Sequence, residues 1–231
     1  MPLKEVEIHP YLQLQSNSKS FSSNLINKMI VGTFPIYCIA DSNPVEEEGI
    51  ELRQNYLEKA RFKFFYGSRL NSFWNYLASC FKNNIPNDEF EAIEYLNRNN
   101  IFITDVYSKI IREKYSSSDK DLKNPEYNLS LITWIKNMKN LDHIIFTSVL
   151  AKRMFCKIID LNFSNIKTED IIIYNKRYNT SILPSPGGNG RSIRHFFNSY
   201  PLVREEIELK NAKLPYANIY RNRIYSEVLK S

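Results

Sequence analysis

The sequence predicts an α/β fold: a three-layer α/β/α sandwich around a central, mostly parallel four-stranded sheet. Short, fully apolar runs with β-branched character alternate with longer stretches of helical periodicity, the pattern of a parallel sheet covered on both faces. The chain has 231 residues, 43% hydrophobic and 24% charged, enough to bury one full core. Neither an internal repeat nor a convincing linker interrupts it. Residues 1–231 therefore read as one domain, with 1–27 as an N-terminal extension and 210–231 as a basic C-terminal tail packed on or near it.

The elements follow in order. Lys28 to Phe34 (KMIVGTF) reads as a buried strand, and Glu51 to Lys63 and Arg69 to Phe81 as helices. A further helix opens at Asn87-Asp88-Glu89-Phe90, with Asn87 as N-cap and acids in its first turn. Ile101 to Thr104 is a second strand, Leu129 to Met138 a helix, His143 to Thr147 a third strand, and Leu150 to Ile159 the helix after it. Ile171 to Tyr174 and Ser181 to Leu183 are short strands, followed by helices from Ser192 and from Leu202. Tyr115 to Asn124 is the most loop-like stretch, and Glu46-Glu47-Glu48 reads as a solvated loop or helix start.

Composition excludes several classes. Cys38, Cys80 and Cys156 are odd in number, far apart and form no CxxC, and His9, His143 and His195 are equally scattered. Neither a disulfide framework nor a metal cluster is supported, and no metal or cofactor is expected. No apolar run has the length of a membrane span and the N-terminus lacks a signal-peptide core, so a soluble, cytoplasmic monomer is expected. The net charge of +6 permits a polyanionic partner and is equally compatible with compositional bias.

Glycine is the anomaly. Average usage would give roughly 16; there are six, Gly32, Gly49, Gly67, Gly187, Gly188 and Gly190. Five of these fall in three short segments, which marks where backbone freedom or close approach is needed. In such sheets ligands sit beyond the carboxyl ends of the strands. The first segment, Gly32-Thr33-Phe34-Pro35, ends a strand and reads either as a tight turn or as backbone brought up to a ligand. The second runs from Phe65 to Trp74 (FYGSRLNSFW). Tyr66, Phe73 and Trp74 can stack a planar ring while Asn71 bonds its edge or a water; the alternative is an aromatic core stripe with Asn71 capping a helix. The third, Leu183 to Ser192 (LPSPGGNGRS), leaves a strand and leads into a helix. Its amides can grip phosphate, and it lacks the ending of a P-loop.

In this order the segments resemble the uracil-DNA glycosylase superfamily, above all its hypoxanthine-type and mismatch-specific branches. There a strand ends in Gly-Ser/Thr-Phe-Pro, a Tyr-Tyr-Gly-x-x-x-Asn-x-Phe-Trp segment follows, and a Leu-Pro-Ser loop comes late. His9-Pro10, Ile101 to Val106 and His143 to Ala151 also match, so the likeness runs from about His9 to Phe197. Three departures stand out, the first being Pro186 to Arg191 (PGGNGR) where the hypoxanthine-type branch tends to continue Leu-Pro-Ser with Thr-Ser-Pro-Ala-Asn. Phe34 occupies the place of the water-activating Asp or Asn of many members, as it does in the hypoxanthine-type branch, and Leu183 replaces the base-contacting histidine of the uracil enzymes.

The resemblance implies a monofunctional DNA glycosylase that flips a modified or deaminated base from DNA and hydrolyses its N-glycosidic bond. It makes Asn71 catalytic, with Asp105 reading the base or assisting a water; the alternative for Asp105 is capping a following helix. Gly32, Thr33, Phe34, Pro35, Tyr66, Gly67 and Trp74 would form the base pocket. Ser185, Gly187, Gly188, Asn189 and Arg191 would bind DNA, Arg191 either filling the vacated gap or contacting a phosphate. No lysine sits in a nucleophile context, so no lyase step is expected. The basic tail, with Lys210, Lys213, Arg221, Arg223 and Lys230, reads as a docked helix or an extended DNA footprint. Two alternatives remain at this level: an anti-phage enzyme that removes a bulky, sugar-modified cytosine, and a non-catalytic nucleic-acid-binding module.

Overall fold

The computed structural model describes residues 5–35, 41–42, 51, 54, 58, 60–69, 71–112, 119–161, 170–186 and 216–231. Among them lie nine strands and five α-helices. The strands are β1 (Glu5–Ile8), β2 (Lys28–Gly32), β3 (Asp41–Ser42), β4 (Ile101–Asp105), β5 (Tyr107–Arg112), β6 (Leu122–Tyr127), β7 (His143–Phe146), β8 (Asp170–Ile173) and β9 (Lys176–Ile182). The helices are α1 (Phe73–Phe81), α2 (Glu89–Arg98), α3 (Ser130–Asn137), α4 (Val149–Ile158) and α5 (Tyr216–Lys230).

The central sheet has five strands in the order β4-β2-β7-β9-β8, which corrects the four-stranded expectation. Four are parallel, and β8 joins the edge antiparallel to β9. The fifth strand is the one expected at Ile171 to Tyr174; it joins β9 through a two-residue hairpin at Tyr174-Asn175, both at positive φ (49° and 62°), the conformation a tight turn of this hand requires. The hairpin extends the strand expected at Ser181 back to Lys176.

Alternate residues of β2 feed two apolar clusters. Ile30 packs with α1, α2 and α5 through residues such as Trp74, Leu96 and Ile224. Met29 and Val31 pack with α3 and α4 through Trp134, Ile135 and Phe155. Helices thus cover both faces of the sheet, as expected of fully apolar parallel strands. Within the tail α5 is a docked helix, with Tyr220, Ile224, Tyr225 and Leu229 buried. Arg221 is also buried, and Arg223 pairs with Glu227 on the surface. Lys210 and Lys213 lie outside the described residues.

A second, antiparallel sheet, β3-β1-β5-β6, was not expected. Its strand β1 comes from the stretch read as an extension, and β6 from the end of the loop-like stretch. Pro125 sits in β6, the sheet's edge strand, where a missing amide costs no ladder bond.

Helix starts also differ. Residues 60–64 are not helical, and Ala60 bridges to Ser68 instead. Helix α1 begins at Phe73, and α2 is capped by Asp88, not Asn87: the Asp88 carboxylate accepts from the Glu91 amide at 2.8 Å. Glu91 in turn accepts from the amide of Asn87, the residue before the cap, a variant of the capping box shifted by one position. The helices expected from Ser192 and Leu202, and the Glu46–Glu48 run, lie outside the described residues.

Candidate active site

The parallel strands β4, β2, β7 and β9 end side by side, with Gly32 paired to Asp105, Val31 to Phe146, and Phe146 to Ile182. The two glycine segments within the described residues meet at this edge, together with the start of the third. The Leu183 amide donates to the Phe146 carbonyl at 2.7 Å, and the Ser72 amide donates to the Pro186 carbonyl at 3.3 Å. Ser185 is exposed there, between buried Pro184 and Pro186. Gly187, Gly188, Asn189 and Arg191 lie outside the described residues.

Gly32 is the floor. A Cβ at this position would overlap Asp105 Oδ1 and the Tyr66 hydroxyl, so only glycine lets these two groups close over the strand end. The Gly32 and Thr33 carbonyls accept from the amides of Val106 (3.1 Å) and Tyr107 (3.2 Å), which ties the first segment to the β4–β5 corner. Thr33 donates its hydroxyl to Asp119 Oδ1 at 2.7 Å. Burial raises the Asp119 carboxyl above the ordinary aspartate value; the charge of Asp105 adds to this, and the Thr33 bond opposes it. Phe34 is buried, edge-on to His9, and Arg112 Nη2 donates to the Pro35 carbonyl at 3.1 Å.

Asp105 does not cap a helix, because the chain re-enters a strand two residues later. It is 3% exposed. Its Oδ2 lies 2.9 Å from His9 Nε2, and its carbonyl accepts from the buried Asn128 amide side chain at 2.9 Å. Its Oδ1 is buried and has no partner in the described structure. An unsatisfied buried carboxylate oxygen costs stability, and such groups concentrate where a ligand or reacting atom supplies the missing bond.

Tyr66 adopts φ 56°, a strained conformation for a bulky residue and one typical of functional sites. Its ring stacks on Phe73 at 4.4 Å between centroids, and its hydroxyl donates to Thr147 Oγ1 at 2.9 Å. Burial, then the charge of Asp105, pushes this phenol well above its ordinary value, so it remains a proton donor. Gly67 is needed for close approach, since a Cβ there would overlap the Phe62 carbonyl.

Asn71 and Trp74 both take structural roles. Asn71 Oδ1 accepts from the Phe73 amide at 2.9 Å and so satisfies the first amide of α1 from the position before the N-cap residue Ser72, which leaves the Nδ2 donors for other work. Trp74 is 2% exposed, packed against Phe62, Phe64 and Phe73 with its indole N–H on the Phe65 carbonyl. It supports the second segment from beneath and offers no open face to a base. Leu183 is likewise buried in the core.

Sequence reasoning missed four contributors: His9 as partner of Asp105, Asp119, Thr147, and the buried Arg112–Glu7 pair behind Pro35. His9 was visible only as part of the His9-Pro10 match, and Asp119 lay in a stretch read as loop. Among the described residues no group of three or more His, Cys, Asp or Glu side chains can hold a metal ion. Among the same residues no helix is long and apolar enough to cross a membrane.

No protein-family model matches the chain, and no curated protein matches it in sequence. Among solved structures it is similar to a Methanosarcina acetivorans protein provisionally named a uracil DNA glycosylase, at 18% identity over 92% of this chain and 95% of that one, with a TM-score of 0.46.

Proposed function

We propose that the chain is a monofunctional DNA glycosylase. The supporting observation is that Gly32-Thr33, the Tyr66–Asn71 segment and Leu183–Pro186 meet at the carboxyl ends of the parallel strands, with Gly32 and the Tyr66 hydroxyl against the buried, half-satisfied carboxylate of Asp105. These are the segments whose order resembles the uracil-DNA glycosylase superfamily, and the net charge of +6 suits a polyanionic substrate.

Breaking an N-glycosidic bond leaves the C1′–N electron pair on the base and positive charge on the sugar. Water then bonds to C1′, and its proton is released to solvent or to the base. The Asp105 carboxylate stabilises the cationic sugar or orients the water, and the Asn71 Nδ2 donors bond the departing base or the same water. Tyr66 supplies the stacking face next to Phe73. The amides around Gly187 and the Arg191 side chain are assigned to the phosphates beside the flipped nucleotide.

One panel tests this reading. Oligonucleotides carrying uracil, hypoxanthine, xanthine or glucosylated hydroxymethylcytosine are incubated with the protein and then treated with alkali. Strand breaks that appear only after alkali are the expected result. Release of the glucosylated base alone would assign the anti-phage role, tight binding without release would assign a binding module, and a borohydride-trapped adduct would overturn the monofunctional assignment.

A further inference from the structure

We propose that His9 is a positioning residue for Asp105: it holds Oδ2 so that Oδ1 is the one acceptor left to meet a substrate or water. His9 is buried and its ring is held on three sides, edge-on to Tyr11 (5.9 Å) and Phe34 (5.3 Å) and tilted against Phe65 (5.1 Å). Its Nδ1 accepts from the Tyr11 amide at 3.1 Å. A ring nitrogen that accepts carries no hydrogen, so the proton of the neutral imidazole sits on Nε2 and is donated to Asp105 Oδ2 at 2.9 Å. The tautomer is therefore set by the backbone of the chain's own N-terminal segment.

Asn128 holds the backbone carbonyl of Asp105, so the residue's main chain is anchored, and the His9 bond at Oδ2 sets the orientation of its carboxylate. Oδ1 is thereby aimed at the Gly32 strand end beside the Tyr66 hydroxyl. That hydroxyl is already given to Thr147, so it leaves Oδ1 free. Without His9 the carboxylate can turn about its Cα–Cβ and Cβ–Cγ bonds, and the geometry needed at the reacting sugar is lost.

The kinetic consequence rests on the glycosylase reading; the geometry does not, and the test separates the two. In single-turnover base release, His9→Phe keeps an aromatic ring but loses the donor, and is expected to slow release by about tenfold or more with oligonucleotide affinity unchanged. His9→Gln places an amide N–H where Nε2 was and is expected to recover most of the rate. A wild-type rate in His9→Phe, or a folded His9→Gln as slow as His9→Phe, overturns the proposal. Long-range proton–nitrogen NMR correlation on histidine-labelled protein provides the readout that needs no activity. The expected signature is a His9 ring protonated at Nε2, whose hydrogen-bonded proton is lost or shifts upfield in Asp105→Asn. A ring protonated at Nδ1, or an Nε2 proton unmoved by Asp105→Asn, overturns the proposal. If the wild-type protein releases no base from any member of the panel, the glycosylase reading falls while the NMR result still decides the pairing.

Discussion

Arg112 holds the Glu7 carboxylate across two strands of the antiparallel sheet, Nη2 to Oε2 at 3.0 Å, and both side chains are at most 2% exposed. The same nitrogen reaches the Pro35 carbonyl, so this pair braces the first glycine segment from behind. Removing one partner of a buried pair takes this counter-charge from the other, which typically costs about 3–5 kcal/mol. Arg112→Met or Glu7→Gln is therefore expected to lose stability of that order in urea unfolding. The double variant Glu7→Leu/Arg112→Met should regain a large part of it; losses that simply add would argue against direct coupling.

The cap and the chemistry of Asn71 can be separated. Its Oδ1 holds the Phe73 amide, and losing such a cap costs about 0.5–2 kcal/mol. Asn71→Asp keeps that acceptor, replaces the Nδ2 donors by a second acceptor oxygen and adds a negative charge at the start of α1, where the helix dipole tolerates it. Unchanged thermal stability with base release slowed about a hundredfold is expected for Asn71→Asp, and lower stability as well for Asn71→Ala. A folded Asn71→Asp that cuts at the wild-type rate would confine this residue to capping.

Three of the four parallel strands, β2, β4 and β7, were legible because each carries an apolar run, and they appear within two residues of their expected ends; the mostly polar β9 was legible only at its end. The antiparallel sheet was hidden because β1 inverts the usual pattern. Val6 and Ile8 are exposed at 48% and 58%, while Glu7 and His9 are buried. Polar residues face inward there, Glu7 to meet Arg112 and His9 to meet Asp105, and hydrophobic periodicity cannot report a face built from an ion pair and a buried hydrogen bond. For the same reason Asp105 had two readings from sequence. Its end-of-strand position was visible, but not that β5 follows it, nor that a partner 96 residues earlier holds its Oδ2.

Asp119 gives a pH dependence of defined sign. Burial, chiefly, raises its folded-state carboxyl above the unfolded value. A raised acid favours folding while protonated, so that stability is present below the ordinary aspartate value and is lost as pH rises through the raised one. Asp119→Asn keeps an acceptor for Thr33 and removes the titration. Its urea midpoint relative to wild type should therefore increase from acid toward neutral pH. A relative midpoint that falls over the same range would reverse the assignment.

The two described cysteines should be inert in the folded protein. Burial raises the Cys80 thiol and pushes Cys156 to about 11, with Lys230 and Lys152 respectively opposing the shift. At pH 8 a thiol of pKa about 11 is roughly one part in a thousand thiolate. In a Cys38→Ser background, Ellman's reagent is expected to report almost no reaction with native protein and two thiols in urea. Rapid modification of either under native conditions would contradict the packing of α1 or α4.

Gly32 is where fold and function meet most sharply. A methyl group there must displace both the Asp105 carboxylate and the Tyr66 hydroxyl. Neither yields cheaply: the Asp105 carboxylate is held by His9, on a backbone anchored by Asn128, and Tyr66 by Thr147 and Phe73. Gly32→Ala is expected to lose about 1–3 kcal/mol of stability from overpacking and to slow base release by at least about tenfold, because the displaced groups are those assigned to the chemistry. Thr147→Val serves as the control. It removes the hydroxyl partner of Tyr66 without crowding the strand end, and so should affect the rate less than Gly32→Ala. If Gly32→Ala unfolds at the wild-type urea midpoint and releases base at the wild-type rate, the closure of Asp105 and Tyr66 over the strand end is not the working arrangement of the site.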